Sequence, residues 1–184
     1  EDGTLCLSDK ADLFVKEDWG DGRINLRCER TGKYVTTISK GRCQSEEEDG
    51  ALVAVKDAAF DWFVTAIFHI IPAENGAVRL TNRFDQPIQI SKNKKLYSAL
   101  TGEGSSFLME TVVDGFEEVQ RLMQCAKTVI LALGCHPMVN AKEEIDRTTL
   151  ALPPHQEKLA KMICKIKPDA ICVLFSNYPY TIHS

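Results

Sequence analysis

The sequence predicts a two-part α+β chain, with an all-β lobe over residues 1–106 followed by part of an α/β parallel-sheet domain over residues 107–184. Two observations lead to this fold class. Before residue 107, short alternating apolar runs are separated by Gly, Asp and Asn, which is typical of strands and turns. After it, apolar residues at helical spacing alternate with continuous apolar runs. The hydrophobic share of 44% of 184 residues is ordinary for a folded globular protein.

The β lobe contains an internal repeat. Strand patterns occur at residues 24–28, 34–38 and 52–55. A shift of 54 residues places Ile24 on Val78 and Tyr34 on Ile88, so that GRINLRCERTGKYVTT overlays GAVRLTNRFDQPIQIS without a gap. Each copy reads as a strand after glycine, a polar turn and a second strand. The sequence therefore predicts two equivalent hairpins.

A third, partial copy opens the chain. The segment DGTLCLSD is similar to the tails that follow the two hairpins, which contain Cys43 in one case and Leu96-Tyr97 in the other. Its own hairpin would lie before residue 1. The sequence thus contains two full copies of the repeat and part of a third. This predicts a threefold, β-trefoil-like lobe that is truncated at its N-terminus. The pattern is similar to that of the fascin-like modules. Such a lobe is a packing module or a carbohydrate-binding, substrate-shaping one, and the QxW signature of ricin-type sugar-binding trefoils is missing.

The second part reads as alternating strands and helices. Strands are predicted at residues 107–113, 127–133 and 170–175, and the last two are apolar enough to be buried on both faces of a parallel sheet. Asp114 is placed to cap one helix, with Glu117 three residues later. Pro153-Pro154 opens a second helix, which Pro168 ends. The order β-α-β-loop-α-β predicts parallel strands joined by right-handed crossovers.

Composition argues against several function classes. A net charge of −4 and the lack of a basic stripe disfavour nucleic-acid binding. No apolar run approaches the roughly 18 residues of a membrane-spanning helix, so no membrane partner is expected. The seven cysteines are odd in number and form no CxxC, and Cys125, Cys164 and Cys172 lie in apolar patterns as small hydrophobic residues. We expect a reduced, cytoplasmic setting without disulfides, zinc or another cofactor, and any signal peptide would lie upstream.

The most polar feature of the second part is the loop EEIDRTTLALPPHQ, residues 143–156. The loop after the strand at 127–133 and the SNYP loop after Phe175 emerge at the carboxyl edge of the predicted sheet. Ligands of open α/β sheets gather at that edge. Adjacent carboxylates, Glu143 and Glu144, make this loop the first place to look for chemistry.

The order of these motifs resembles the C-terminal α/β sandwich domain of glycoside hydrolase family 3. The resemblance covers residues 107–184, and residues 1–106 resemble the β-rich insertion that some members carry. The resemblance depends on the order of the family's motifs: a strand, a loop with Glu, then Asp-Arg, Leu-x-Leu-Pro and a Gln that opens a helix. In this sequence these are Glu143, Asp146-Arg147, Leu150-Ala151-Leu152-Pro153, Gln156 and the following Ser176-Asn177-Tyr178-Pro179.

The resemblance implies the C-terminal fragment of a retaining β-glycosidase of β-glucosidase or β-xylosidase type. The family's Asp nucleophile lies in a (β/α)8 barrel that no part of this chain resembles, so the chain alone is expected to be inactive. Its partners would be a β-linked glycoside, the remaining barrel of the same enzyme and, with unpaired sheet edges, a second copy of the chain. The alternative is a non-catalytic carbohydrate-binding or scaffold module. Nucleotide binding is disfavoured because Gly102-Glu103-Gly104 has no third glycine and precedes a strand.

By the same resemblance Glu143 is the acid/base carboxylate. Many relatives have Gly where this chain has Glu144, which makes Glu144 a rival. The resemblance leaves Asp146 and Arg147 as a structural pair that anchors the loop. His136 and Asn140 are candidates for the substrate cleft.

Overall fold

A computed structural model of the protein describes residues 2–38, 50–59, 64–135, 147, 149–176 and 179–182. The chain divides into two compact units, Glu1–Met109 and Glu110–Ser184. The described residues form mostly sheet with two α-helices, which confirms the mixed α+β class. Neither α-helix of the described residues is long and apolar enough to cross a membrane.

The described part of the first unit is built from short strands and contains a 3-10 turn at Glu74–Gly76. In chain order its strands are β1 (Phe14–Gly20), β2 (Arg23–Cys28), β3 (Tyr34–Thr37), β4 (Leu52–Lys56), β5 (Phe68–Pro72), β6 (Val78–Asn82), β7 (Ile88–Ile90), β8 (Leu96–Ser98) and β9 (Ser106–Phe107). The main sheet has the order β4-β3-β2-β5-β6-β9, with β1 also paired to β2, and β7-β8 form a separate pair. All of these pairings are antiparallel.

The predicted repeat corresponds to equivalent strands. Strands β2 and β3 lie in the first copy of the repeat, and β6 and β7 lie at the equivalent positions of the second copy. Each copy turns back on itself, because β2 pairs with β3 at Arg27 and Tyr34, and a bridge joins Thr81 to Pro87. One hydrophobic core receives side chains from both copies: Ile24, Val35, Leu52, Phe68, Leu80 and Ile88.

Three segments of the first unit meet in what we call the three-segment junction, residues 3–7, 50–54 and 94–98. The Leu5 amide donates to the Leu52 carbonyl at 2.9 Å, and the Leu96 amide donates to the Leu5 carbonyl at 3.0 Å. A bridge between Ala51 and Tyr97 joins the remaining pair of segments. Each segment is therefore hydrogen-bonded to the other two, and their three leucines contribute to the same core.

The second unit contains α1 (Gly115–Cys125), β10 (Ile130–Gly134), α2 (Pro154–Ile166) and β11 (Ile171–Phe175). Strands β10 and β11 are parallel, as predicted, with Ile130 opposite Ile171 and Gly134 opposite Phe175.

Both helix starts follow from the sequence. The Asp114 side chain accepts hydrogen bonds from the amides of Phe116 and Glu117, which confirms the predicted cap of α1. Helix α2 begins at Pro154, the position at which proline costs no hydrogen bond.

Helices α1 and α2 cover one face of β10. Leu131 and Leu133 are buried on that face with Met123 and Ile163 of the helices, and Leu152 completes the cluster. Alternate residues of a strand point to opposite faces, so Ile130 and Ala132 point away from this core and are exposed.

The expectation that both strands are buried on two faces was wrong. Every residue of β11 is exposed, Ile171 at 52% and Phe175 at 66%. Apolar composition shows that a strand can be buried, but burial also needs a segment to cover it. The described part of this unit covers one face of β10 and leaves every residue of β11 exposed.

The predicted strand at 107–113 was also wrong. Only Ser106 and Phe107 form a strand, and they pair with β6 of the first unit. Beyond them Leu108, Val112 and Val113 are exposed, because the segment has no ladder partner among the described residues. The apolar composition of residues 107–113 suits a strand, but a strand also requires a neighbour to satisfy its backbone.

The cysteines lie in the predicted elements but not at buried positions. Cys125, Cys164 and Cys172 belong to α1, α2 and β11 and are all free and exposed. Their interpretation as buried small hydrophobic residues was therefore wrong for this chain.

Candidate active-site loop

The carboxyl ends of β10 and β11 lie side by side, at Gly134 and Phe175. Gly134 has φ of 154°. A Cβ atom added to it would lie 2.2 Å from the Phe175 carbonyl oxygen. Only glycine allows this close approach of the two strand ends. The chain therefore leaves β10 immediately against the start of the segment that follows β11.

Gln156, in the first turn of α2, binds the backbone of Gly134 with both ends of its carboxamide. Its Oε1 accepts from the Gly134 amide at 2.9 Å, and its Nε2 donates to the Gly134 carbonyl at 2.6 Å. The side chain is half-buried. The two bonds fix the point at which the chain enters the loop that carries the predicted site. The sequence placed Gln156 in the family pattern but did not indicate this contact.

Arg147 contacts the segment that follows β11. Its Nη2 donates to the Pro179 carbonyl at 3.1 Å, and its guanidinium lies 4.4 Å from the centroid of the Tyr180 ring. That distance is within the range of a cation–π interaction. Arg147 is thus held at the same edge of the sheet as Gly134.

Tyr180 is the residue of this edge that sequence reasoning missed. Burial, and after it the neighbouring Cys135 thiol, raises the pKa of the Tyr180 hydroxyl to about 12, against the lowering effects of Arg147 and Ser176. The hydroxyl therefore stays protonated at neutral pH. The sequence did contain one indication that Tyr180 lies at this edge, namely its position directly after the SNYP loop.

Backbone bonds complete the arrangement. The Thr181 amide donates to the Leu150 carbonyl at 2.9 Å, and Ala151 and Thr181 form a parallel bridge. We call Gly134, Arg147, Gln156, Pro179 and Tyr180 the loop-end cluster. It brings together the chain on either side of residues 136–146.

The favoured acid/base residue and its rival, Glu143 and Glu144, lie outside the described residues, as do His136, Asn140 and Asp146. The predicted pair between Asp146 and Arg147 therefore stays a prediction. His155 is half-buried in the first turn of α2.

The described residues contain no group of three or more His, Cys, Asp or Glu that could hold a metal ion. The loop-end cluster places the guanidinium of Arg147 and the neutral phenol of Tyr180 at the edge where the loop begins and ends. Its hydrogen bonds position backbone, a structural task that any chemistry on the loop requires.

Comparison with known proteins identifies the domain. The family described as glycosyl hydrolase family 3 C-terminal domain matches residues 7–184. No curated protein matches the sequence. Among solved structures, the designed threefold symmetric protein ThreeFoil is similar with 15% identity and a TM-score of 0.39. That alignment covers 50% of this chain and 64% of the designed one.

The family match spans both units of the chain and includes the whole loop between β10 and α2. The chain belongs to the glycosyl hydrolase family 3 C-terminal domain family.

Proposed function

We propose that this chain supplies the acid/base loop of a retaining β-glycosidase, with Glu143 as the catalytic carboxyl group. The observation that carries the proposal is the loop-end cluster. Gln156 holds Gly134, and Arg147 holds Pro179, so both flanks of residues 136–146 are tied to the carboxyl edge of the sheet. Ligands of open α/β sheets bind at that edge.

Retaining hydrolysis requires two carboxyl groups about 5–5.5 Å apart. One attacks the anomeric carbon, and the other protonates the departing oxygen and then deprotonates the incoming water. The second role suits a carboxyl group on a loop that reaches across to another domain. The nucleophile would come from the (β/α)8 barrel of the same enzyme, and the substrate would be a β-linked glycoside bound between the two.

Glu143 is preferred to Glu144 because it stands three residues before Asp146-Arg147, the position that the family pattern gives to the acid/base residue. Glu144 stands where many relatives have glycine. Its charge beside Glu143 would raise the pKa of Glu143. A raised pKa suits a group that must donate a proton near neutral pH.

For the first unit we infer a β-trefoil-like, fascin-like insertion. The 54-residue repeat and the three-segment junction support this. In a threefold lobe each repeat contributes one segment to such a junction, and residues 3–7 occupy the place of the third. Its role would be to shape or support the substrate cleft.

The test compares Glu143→Gln with Glu144→Gln in the enzyme that joins this chain to its barrel. A general acid matters most when the leaving group is poor. We expect Glu143→Gln to slow a β-glycoside with an alkyl leaving group by about 10²–10⁴-fold, and to spare a dinitrophenyl glycoside in its first step. Glu144→Gln should retain activity on both. An equal loss on both substrates with Glu143→Gln would contradict the assignment.

A further inference from the structure

Two thiols of the second unit share one apolar cavity. Cys164 of α2 and Cys172 of β11 both line a cavity of about 280 Å³. Leu133, Leu152 and Ala160 contribute to its apolar wall. Both thiols are free and exposed, so that a small molecule entering the cavity meets them together.

The thiols are neighbours and are not equivalent. Burial, followed by the charge and hydrogen bonding of Cys164, raises the pKa of the Cys172 thiol. Thiolate is the attacking form in disulfide exchange. The raised pKa makes Cys172 the poorer first nucleophile, so we assign the first attack to Cys164 and the second to Cys172. An ion pair between Lys161 and Glu157, at 2.6 Å, flanks the cavity on the same helix.

We propose that Cys164 and Cys172 form a redox modification site, at which a low-molecular-weight disulfide such as oxidised glutathione converts the two thiols to a disulfide that joins α2 to β11. The site is independent of the glycosidase proposal, because none of its residues belongs to the loop-end cluster.

The reaction takes two exchange steps. The Cys164 thiolate attacks one sulfur of the oxidant, which forms a mixed disulfide and releases one thiol. The Cys172 thiolate then attacks the Sγ atom of Cys164, which expels the second thiol. In sum, two cysteine thiols become one disulfide, and one molecule of oxidant is reduced to two thiols.

The bond would tether the last turns of α2 to the start of β11. A new disulfide stabilises mainly by restricting the unfolded chain. The oxidised chain should therefore melt at a higher temperature than the reduced chain. Cys125 provides the matched control, because it is also a free, exposed thiol on a helix of the same unit but does not line the cavity.

The experiment oxidises the full chain with oxidised glutathione and maps tryptic peptides under non-reducing conditions. Cys164 and Cys172 fall on different peptides, residues 162–165 and 166–184, so a disulfide between them yields one linked species. We expect that species in the wild type and in Cys125→Ser. We expect Cys172→Ser to stop at a glutathione adduct on Cys164, without the rise in melting temperature.

Three results would overturn the proposal. The first is wild-type chain in which Cys164 carries glutathione that Cys172 never displaces. The second is a chain in which Cys125 becomes modified while Cys164 and Cys172 both remain reduced. The third is linkage of either cysteine to another thiol in place of its neighbour.

Discussion

Gly134 shows how one residue couples the sheet to the proposed active-site loop. Its φ of 154° and its position against the Phe175 carbonyl leave no room for a side chain. Its amide and carbonyl are both bound by Gln156. The same residue thus ends β10, permits the approach of β11 and begins the chain towards Glu143.

We expect Gly134→Ala to destabilise the second unit by about 2–4 kcal/mol, the sum of backbone strain and a steric clash with Phe175. Gly115→Ala is the control, since a Cβ atom there meets nothing within 4 Å. It should change the free energy of unfolding by less than about 1 kcal/mol. Both α-helices of the described residues belong to the second unit, so helical circular dichroism during urea unfolding reports on it. Equal stability of the two variants would contradict the strain assigned to Gly134.

Tyr180 gives a prediction for alkaline pH. Its pKa in the folded chain is about 12, above the ordinary value of 10.0. A raised folded pKa means that its contribution to stability is complete below pH 10 and is lost as pH rises through about 12. We expect the free energy of unfolding of Tyr180→Phe to fall less than that of the wild type between pH 10 and about pH 12. Ultraviolet titration of tyrosinate should show one late-titrating group that the variant lacks, and an unchanged titration would count against this assignment.

At the residue scale the sequence predicted what depends on local chemistry. Asp114 and Pro154 were recognised as helix starts because capping depends on residues within one turn. The constraint on Gly134 and the pKa of Tyr180 were not predictable in the same way. They depend on the parallel register of β10 with β11 and on the contact with Cys135, which bring distant parts of the chain together.

At the scale of elements, periodicity predicted which segments are helices and strands better than it predicted their surroundings. The hairpin strands, both helices and the parallel pair were foreseen. The segment at 107–113 has the composition of a strand, yet only Ser106–Phe107 forms one, because pairing is a property of two segments. The exposure of β11 has the same origin. Its apolar sequence shows that the strand could be buried, but the sequence of one strand does not show which segment, if any, packs against it.

The three-segment junction predicts a large effect for one of its leucines. Leu52 is buried, and its carbonyl accepts from the Leu5 amide. We expect Leu52→Ala to destabilise the first unit by about 2–5 kcal/mol through lost burial and an unfilled cavity. Leu100→Ala, at a site that is 56% exposed, should cost much less. Trp19 lies in β1, where its Nε1 donates to Oδ1 of Asn25, so its fluorescence follows the unfolding of the first unit. A small effect at Leu52 would show that the junction is not part of the core.

At the scale of the whole molecule, the most conspicuous feature is the apolar face of the β10-β11 pair that lies away from α1 and α2. Ile130 and Ile171 are paired across the two strands and exposed at 66% and 52%. Apolar surface of this kind is typical of an interface with another chain or domain.

We expect the chain by itself to self-associate through this face. Replacing Ile130 with Lys and Ile171 with Glu should reduce association in sedimentation velocity and lower the binding of a hydrophobic dye. Leu7→Lys, at an exposed leucine of the first unit, is the control and should leave both unchanged. Undiminished association in the double variant would place the contact elsewhere.

The central claim is that Glu143 is the acid/base residue, and azide rescue tests it most directly. In the enzyme that joins this chain to its barrel, Glu143→Ala removes the base that activates water while leaving room for a small anion. With an activated β-glycoside, added azide should restore turnover and yield the β-glycosyl azide, because azide needs no base and attacks the covalent intermediate with net retention. Glu144→Ala should show no azide dependence. Rescue of Glu144→Ala in place of Glu143→Ala, or rescue of neither, would contradict the assignment.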